Sequence, residues 1–333
     1  MSFPFLWDTG TCDTVQWTGN TPNPFPGSLA RNVGEVVGVF GAIDTTTRRP
    51  PHGYASTVRF DKLLKLERLV RHLKSPAWPQ KVLGSIDKPK AEAGKVLFAE
   101  HCSSCHGKIS SWAWLPWVDS FKSKLATIDA PDNLGTDRRA ASLIKESTAD
   151  TGILNGARKL LTVDHRYGPR ESIEVITQDT VGRVLIGAVT EKRTPRNIAN
   201  AVQLEGAGIN ETADRDKLMP GDVARDNAGT KILDLKYRTR PLNGIWATGP
   251  FLHNGSVPTL YDLLLPEGQR PKKFSVGSRE FDPVKVGPVT TGGPGTAVLD
   301  TGLTGNSNKG HDYGASKLTD EQRWQLVEYM KTL

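Results

Sequence analysis

Cys102-Ser103-Ser104-Cys105-His106 constrains this chain more than any other stretch, because C-x-x-C-H is the attachment signature of a c-type haem. One helical turn sets two thiols against the two vinyl groups of the porphyrin, and the adjacent imidazole then lies beneath the ring as proximal iron ligand. A cofactor bonded to the chain has to be enclosed by it, so the fold is organised around these five residues. The competing reading is a redox C-x-x-C, or half of a zinc site, that happens to precede a histidine. Zinc requires further Cys or His close by, and Cys12 lies far upstream.

The flanking sequence agrees with haem. Residues 91–101 predict a helix after Pro89, with Val96, Leu97 and Phe98 as an apolar face that delivers the cysteine pair. Near the carboxyl end, Thr319-Asp320-Glu321-Gln322 fits a capping box, and Trp324, Leu326, Val327 and Met330 recur at helical spacing. A small residue such as Gly94 packed against Tyr329 or Trp324 lets two such helices cross closely. That crossing is the framework of a cytochrome c fold, although periodicity alone predicts only two amphipathic helices. The expected class is mainly α: a cytochrome c-like haem domain with long loop-rich insertions.

At 333 residues the chain can bury a large core, and abundant Gly and Pro with eight Trp suit a loop-rich fold whose core is partly cofactor. No apolar run is long enough to span a membrane. The net charge of +7 is modest and the acidic residues are interleaved, with no nucleic-acid-binding motif. Part of the positive charge is available to neutralise haem propionates or steer a redox partner. Covalent haem attachment implies a periplasmic or secreted location. Met1-Ser2-Phe3-Pro4-Phe5-Leu6-Trp7 is no signal peptide, so the expectation is that an upstream part lies outside this sequence. Cys12 is expected to be a free thiol.

Along the chain, residues 1–80 read as an irregular segment that packs on something else, followed by an amphipathic helix, and residues 81–333 as the haem domain. Within the first part, residues 29–40 are helix-compatible. Residues 58–74 place Leu63, Leu64, Leu66, Leu69, Val70 and Leu73 inward, with Lys62, Lys65, Arg68 and Arg71 outward. Between Gly107 and Leu235 the chain exceeds what a small cytochrome needs, without an internal repeat. Residues 206–220 and 287–305 read as long surface connections.

The run from Arg240 to Leu260, RPLNGIWATGPFLHNGSVPTL, resembles the signature that follows the second haem site in bacterial di-haem cytochrome c peroxidases. Phe5-Leu6-Trp7-Asp8 is similar to the tryptophan-containing linker between the haems of that superfamily, which includes methylamine-dehydrogenase-maturation enzymes and latex-cleaving rubber oxygenases. The resemblance covers only the carboxyl-terminal haem half, because an amino-terminal domain with its own C-x-x-C-H is absent. Asn254-Gly255, where the family usually has Asp-Gly, and the insertion after Leu265 favour the rubber-oxygenase-like branch.

The resemblance implies a six-coordinate, electron-transferring haem c, with its distal ligand a short distance before the last helix. Gly310-His311-Asp312-Tyr313-Gly314 holds that place, which makes His311 the choice opposite His106. A bland alternative is a solvent-exposed loop histidine. His253 competes as ligand, although the resemblance puts it near the haem edge in a hydrogen-bonding role, and Met219 before Pro220 is a third option. His101 and His72 read as helix-surface residues, while His52 and His165 have no motif around them. By resemblance, Trp7 is an electron path between haems, and otherwise ordinary core. Glu35 is similar in placement to the acid that assists peroxide cleavage at the other haem, and otherwise a solvated helix residue. A calcium ion between domains is also implied, with no ligands assignable. Three functions compete: a component of a peroxidase-like or oxygenase-like enzyme, working with a redox partner protein or the amino-terminal haem domain; a mono-haem carrier; and a scaffold with a structural haem.

Overall fold

The computed structural model describes residues 4–23, 27–49, 53–107, 109–112, 115–120, 125–127, 135–160, 166–190 and 235–333. Its organising contact is between the helices Lys88–His101 and Asp320–Met330. The first starts where the Asp87 carboxylate accepts the Lys90 N–H at 3.1 Å, with Pro89 in the first turn. The second starts in the expected capping box: the Thr319 hydroxyl accepts from the Gln322 N–H, and the Gln322 side chain accepts from the Thr319 N–H at 2.8 Å.

The two helices cross at Gly94, where an added Cβ would lie 2.0 Å from the Gln325 carbonyl oxygen. The crossing is therefore glycine against backbone, and neither aromatic fills the place expected for it. Tyr329 tilts against Phe98 at 5.2 Å, and Trp324 stacks on Tyr261 at 4.2 Å. We predict that Gly94→Ala, which has to push the helices apart, costs about 1–3 kcal/mol or more. Thermal unfolding of the haem-loaded protein measures it, and an unchanged midpoint would contradict this crossing.

Around the crossing lies the main core, including Trp78, Phe98, Phe251, Val257, Leu260, Leu326, Val327 and Met330. A second core joins Leu29 and Val33 of the helix Gly27–Val39 to Tyr54, Val58, Leu63 and Leu64, and takes in Val184 of the helix Ile173–Thr190. The amphipathic helix runs over Phe60–Arg71, but only Leu63 and Leu64 of its apolar residues are buried. Leu66, Leu69 and Leu73, expected inward, are 53%, 61% and 43% exposed.

The expectation of a mainly α chain is not met. Among the described residues, seven two-stranded antiparallel pairings accompany the helices. Two of them lie partly in the stretch expected to be a surface connection: Phe281–Asp282 pairs with Gly287–Pro288, and Lys273–Val276 with Ala297–Asp300, where Lys273 meets the Asp300 carboxylate at 2.8 Å. Strands of two to four residues carry too little alternation to register in a sequence pattern. Residues 206–220 lie outside the described residues. No described helix is long and apolar enough to cross a membrane.

Candidate haem centre

The Lys88–His101 helix delivers the C-x-x-C-H run as a continuing turn. The Cys102 N–H bonds the Phe98 carbonyl at 2.9 Å, and the Cys105 and His106 N–H groups both return to the Cys102 carbonyl, at 3.1 and 2.8 Å. Neither thiol is in a disulfide. Burial, followed by the neighbouring Cys105, pushes the Cys102 thiol up to about 11. A dithiol redox site works by the opposite shift, toward the thiolate.

His106 is oriented by a backbone carbonyl. Its Nδ1 lies 2.8 Å from the Arg240 carbonyl oxygen, and since a carbonyl only accepts, Nδ1 carries the proton and Nε2 keeps the lone pair. The ring of His311 stands 6.0 Å away, centroid to centroid, at 52°. Burial lowers the pKa of both imidazoles. For His311 it falls to about 3, with His106 and then Arg270 adding to the effect of burial. Both rings are thus neutral at physiological pH, which is the form that ligates a metal.

A haem fits these residues. With a metal–nitrogen bond of about 2 Å on each side and about 1.1 Å from nitrogen to ring centre, two imidazoles sharing one iron have centroids roughly 6 Å apart. Among the described residues, the buried Nε of Arg240 and Nε2 of His253 have no hydrogen-bond partner in the protein. The Arg240 guanidinium is pressed on the Phe5 ring at 4.0 Å, and Nη2 donates to the Phe5 carbonyl at 3.1 Å. Burial, followed by Arg238, lowers it to about 9. A buried cation with an open donor is what a haem propionate satisfies.

The remaining expected site residues are distributed unevenly. His253 is 6% exposed and stacks on Tyr237 at 4.4 Å, its pKa lowered to about 4 by burial; the ring standing near His106 is that of His311. Trp7 stacks on Phe5 at 4.9 Å and donates through Nε1 to the Asn243 carbonyl at 2.7 Å. It is therefore tied to the same short segment whose Arg240 carbonyl holds His106. Gly244, at φ +66°, leaves room for the indole, since a Cβ there would meet Trp7 at 3.1 Å. Glu35 is exposed on the Gly27–Val39 helix, whose buried Leu29 and Val33 belong to the second core. His72 ends the Phe60–Arg71 helix, and His101 lies 3.8 Å from Glu100. Met219, His52 and His165 fall outside the described residues.

Sequence reasoning missed Arg240 as an orienting group, because it acts on His106 through its backbone carbonyl, which leaves no side-chain signal. It also missed the stacking of His253 on Tyr237. Those two residues are sixteen positions apart in sequence, and no local pattern couples them.

Residues 236–275 match the family model described as RoxA-like, cytochrome c-like. The matched segment contains Arg240, Asn243, His253 and Arg270. It supports haem-based electron transfer by a cytochrome c-like domain, a class that typically works outside the cytoplasm. Among curated proteins, the chain is 32% identical over 360 residues to "Uncharacterized protein y4iJ" of Sinorhizobium fredii strain NGR234, covering 100% of this chain and 54% of the relative. It is also 35% identical over 118 residues to "Uncharacterized protein y4iM" of the same strain, covering 29% of this chain and 27% of that protein. The chain thus spans about half the length of the first relative and a smaller part of the second.

Proposed function

We propose that this chain carries one covalent haem c and works as the electron-transferring half of a di-haem, peroxidase-like or oxygenase-like oxidoreductase in the periplasm or outside the cell. The observation that carries the reading is the 6.0 Å separation of the His106 and His311 rings, which suits two axial ligands of one iron and leaves no open position for substrate. When bound, the haem supplies a one-electron Fe(III)/Fe(II) couple. Cys102 and Cys105 would fix it to the end of the helix, and His106 and His311 would hold its iron. The Arg240 carbonyl accepts the Nδ1 proton of His106 and so raises the basicity of Nε2, which favours the ferric state. A second imidazole in place of a thioether ligand lowers the potential in the same direction.

Trp7 gives electrons a route out of this centre. Its hydrogen bond to Asn243 leaves two residues of chain between that contact and Arg240, whose carbonyl touches the proximal ligand. The acceptor or donor is a second haem-bearing domain, in the same chain or in a partner, or a separate redox protein. Filled axial positions suit a simple mono-haem carrier equally well, and the two readings part at turnover. We predict that residues 1–333, loaded with haem, exchange electrons with small redox dyes but turn over peroxide or dioxygen slowly. Adding the second haem domain restores turnover, and Trp7→Phe then slows electron passage between the haems. Fast turnover by this chain alone, with His311 still on the iron, contradicts the proposed division of labour. Turnover that stays slow with the second haem domain present favours the plain carrier, and a Trp7→Phe rate equal to wild type removes Trp7 from the path.

A further inference from the structure

The loop that carries His311 is built in an unfavourable conformation. Gly310 and His311 have φ of +85° and +58°, a left-handed pair in which only the first is a glycine. A histidine held there persists where its surroundings over-determine it. Those surroundings come from one turn far away in sequence. Arg270 is 2% exposed, and its Nη1 donates to the carbonyls of Asn308 and Gly310, both at 2.7 Å. Its Nε reaches the Leu265 carbonyl at 3.1 Å and its Nη2 the Leu263 carbonyl at 3.3 Å. Glu267, three residues earlier, accepts the Gly310 N–H at 3.3 Å. The residue immediately before His311 is thus gripped at both ends of its backbone, its N–H by a carboxylate and its C=O by a guanidinium.

A second buried guanidinium braces the other side of the same loop. Arg323 of the carboxyl-terminal helix donates to the Leu264 carbonyl at 2.9 Å and to the Ala315 carbonyl at 3.3 Å. Residues 263–265 therefore act as a fixed rail. Arg270 ties the loop to this rail before His311, and Arg323 ties it after. The planar fork of arginine suits several carbonyls at once, and the compact ammonium of a lysine does not.

We infer that Glu267 and Arg270 are positioning residues that hold His311 on the iron, so that the strength of this grip sets how readily the distal coordination site opens. The inference rests on the reading of His311 as distal ligand. Hydrogen bonds to charged groups are strong, so loosening one of them raises the dissociation of His311 by on the order of tenfold or more.

The test uses the haem-loaded chain with four sequences: wild type, Arg270→Lys, Glu267→Gln and His311→Ala. Carbon monoxide association with the dithionite-reduced protein and the high-spin fraction of the ferric protein are read alongside the thermal midpoint. In wild type, carbon monoxide waits for His311 to leave. Arg270→Lys and Glu267→Gln are expected to speed its association by about tenfold or more and to raise the high-spin fraction, while the haem stays covalent. A merely structural role would lower the midpoint and leave the carbon monoxide rate unchanged. That outcome, with His311→Ala binding carbon monoxide rapidly, overturns the clamp and leaves the ligand reading intact. If His311→Ala is itself inert to carbon monoxide, the ligand reading fails first. Should Arg270→Lys fail to fold, Glu267→Gln alone decides, since that change is isosteric and keeps the turn.

Discussion

His311→Ala is expected to convert the ferric centre from low-spin to high-spin and to let the reduced protein bind carbon monoxide stoichiometrically. The His311 ring stands 6.0 Å from that of His106, and no substituted methyl group at that position can ligate iron. The pocket that held the imidazole is then free for an exogenous ligand. His311 already carries backbone strain of roughly 1 kcal/mol at φ +58°, and alanine keeps it. His311→Gly relieves that strain and also removes the ligand, so an open iron in both variants belongs to the lost imidazole. Both variants open the iron, whereas His253→Ala stays low-spin, because His253 stacks on Tyr237. An optical spectrum with and without carbon monoxide reads all three, and an open iron in His253→Ala alone would show that the wrong histidine has been assigned.

Removing both attachment thiols, Cys102→Ala with Cys105→Ala, has the largest expected effect on the protein as a whole. Thioether bonds keep the cofactor at the site regardless of its concentration, and without them occupancy follows mass action. A ligand present at about a thousand times its dissociation constant stabilises by about 4 kcal/mol, and losing a contribution of that size unfolds many domains. The double variant is expected to release its haem into acidified acetone, to accumulate poorly and to melt far below wild type. Wild type made with haem-maturation machinery is expected to keep its colour through the same extraction. The raised Cys102 thiol fits this role, because the residue is half-buried against the core and not poised as an exposed thiolate. Acid-stable colour in the double variant, or tetrahedral zinc in wild type, excludes thioether attachment.

The features that were legible in sequence are those that local chemistry writes down. The capping box at Thr319 needs only two residues three apart, and the C-x-x-C-H turn needs five in a row. Helix existence followed from periodicity, but the buried face of Phe60–Arg71 did not. Six apolar residues spread around that cylinder gave no way to tell that Leu63 and Leu64 face the second core while Leu66 and Leu69 do not. The Ile173–Thr190 helix escaped notice for a related reason. Its apolar residues, among them Val175, Ile176, Val181, Val184 and Leu185, occupy several sides, so no polar face marks it out.

At the site, the resemblance points to His311 by its place before the last helix, whereas no residue pattern points to its neighbours. Arg270 stands in a Gly-Gln-Arg-Pro turn that reads as solvent-exposed, and its burial follows from carbonyls 38 and 40 residues away in sequence. Backbone acceptors are invisible to residue patterns. This is why the groups that orient both histidines, the Arg240 carbonyl and the grip on Gly310, appear only in three dimensions.

On the proposed reading, His106 and His311 share one iron. Near-infrared magnetic circular dichroism of the resting ferric protein, read together with its electron paramagnetic resonance, reports the pair of axial ligands directly. Two imidazoles in a low-spin centre are the predicted result; a histidine–methionine signature, or a high-spin iron with an open position, would contradict the account.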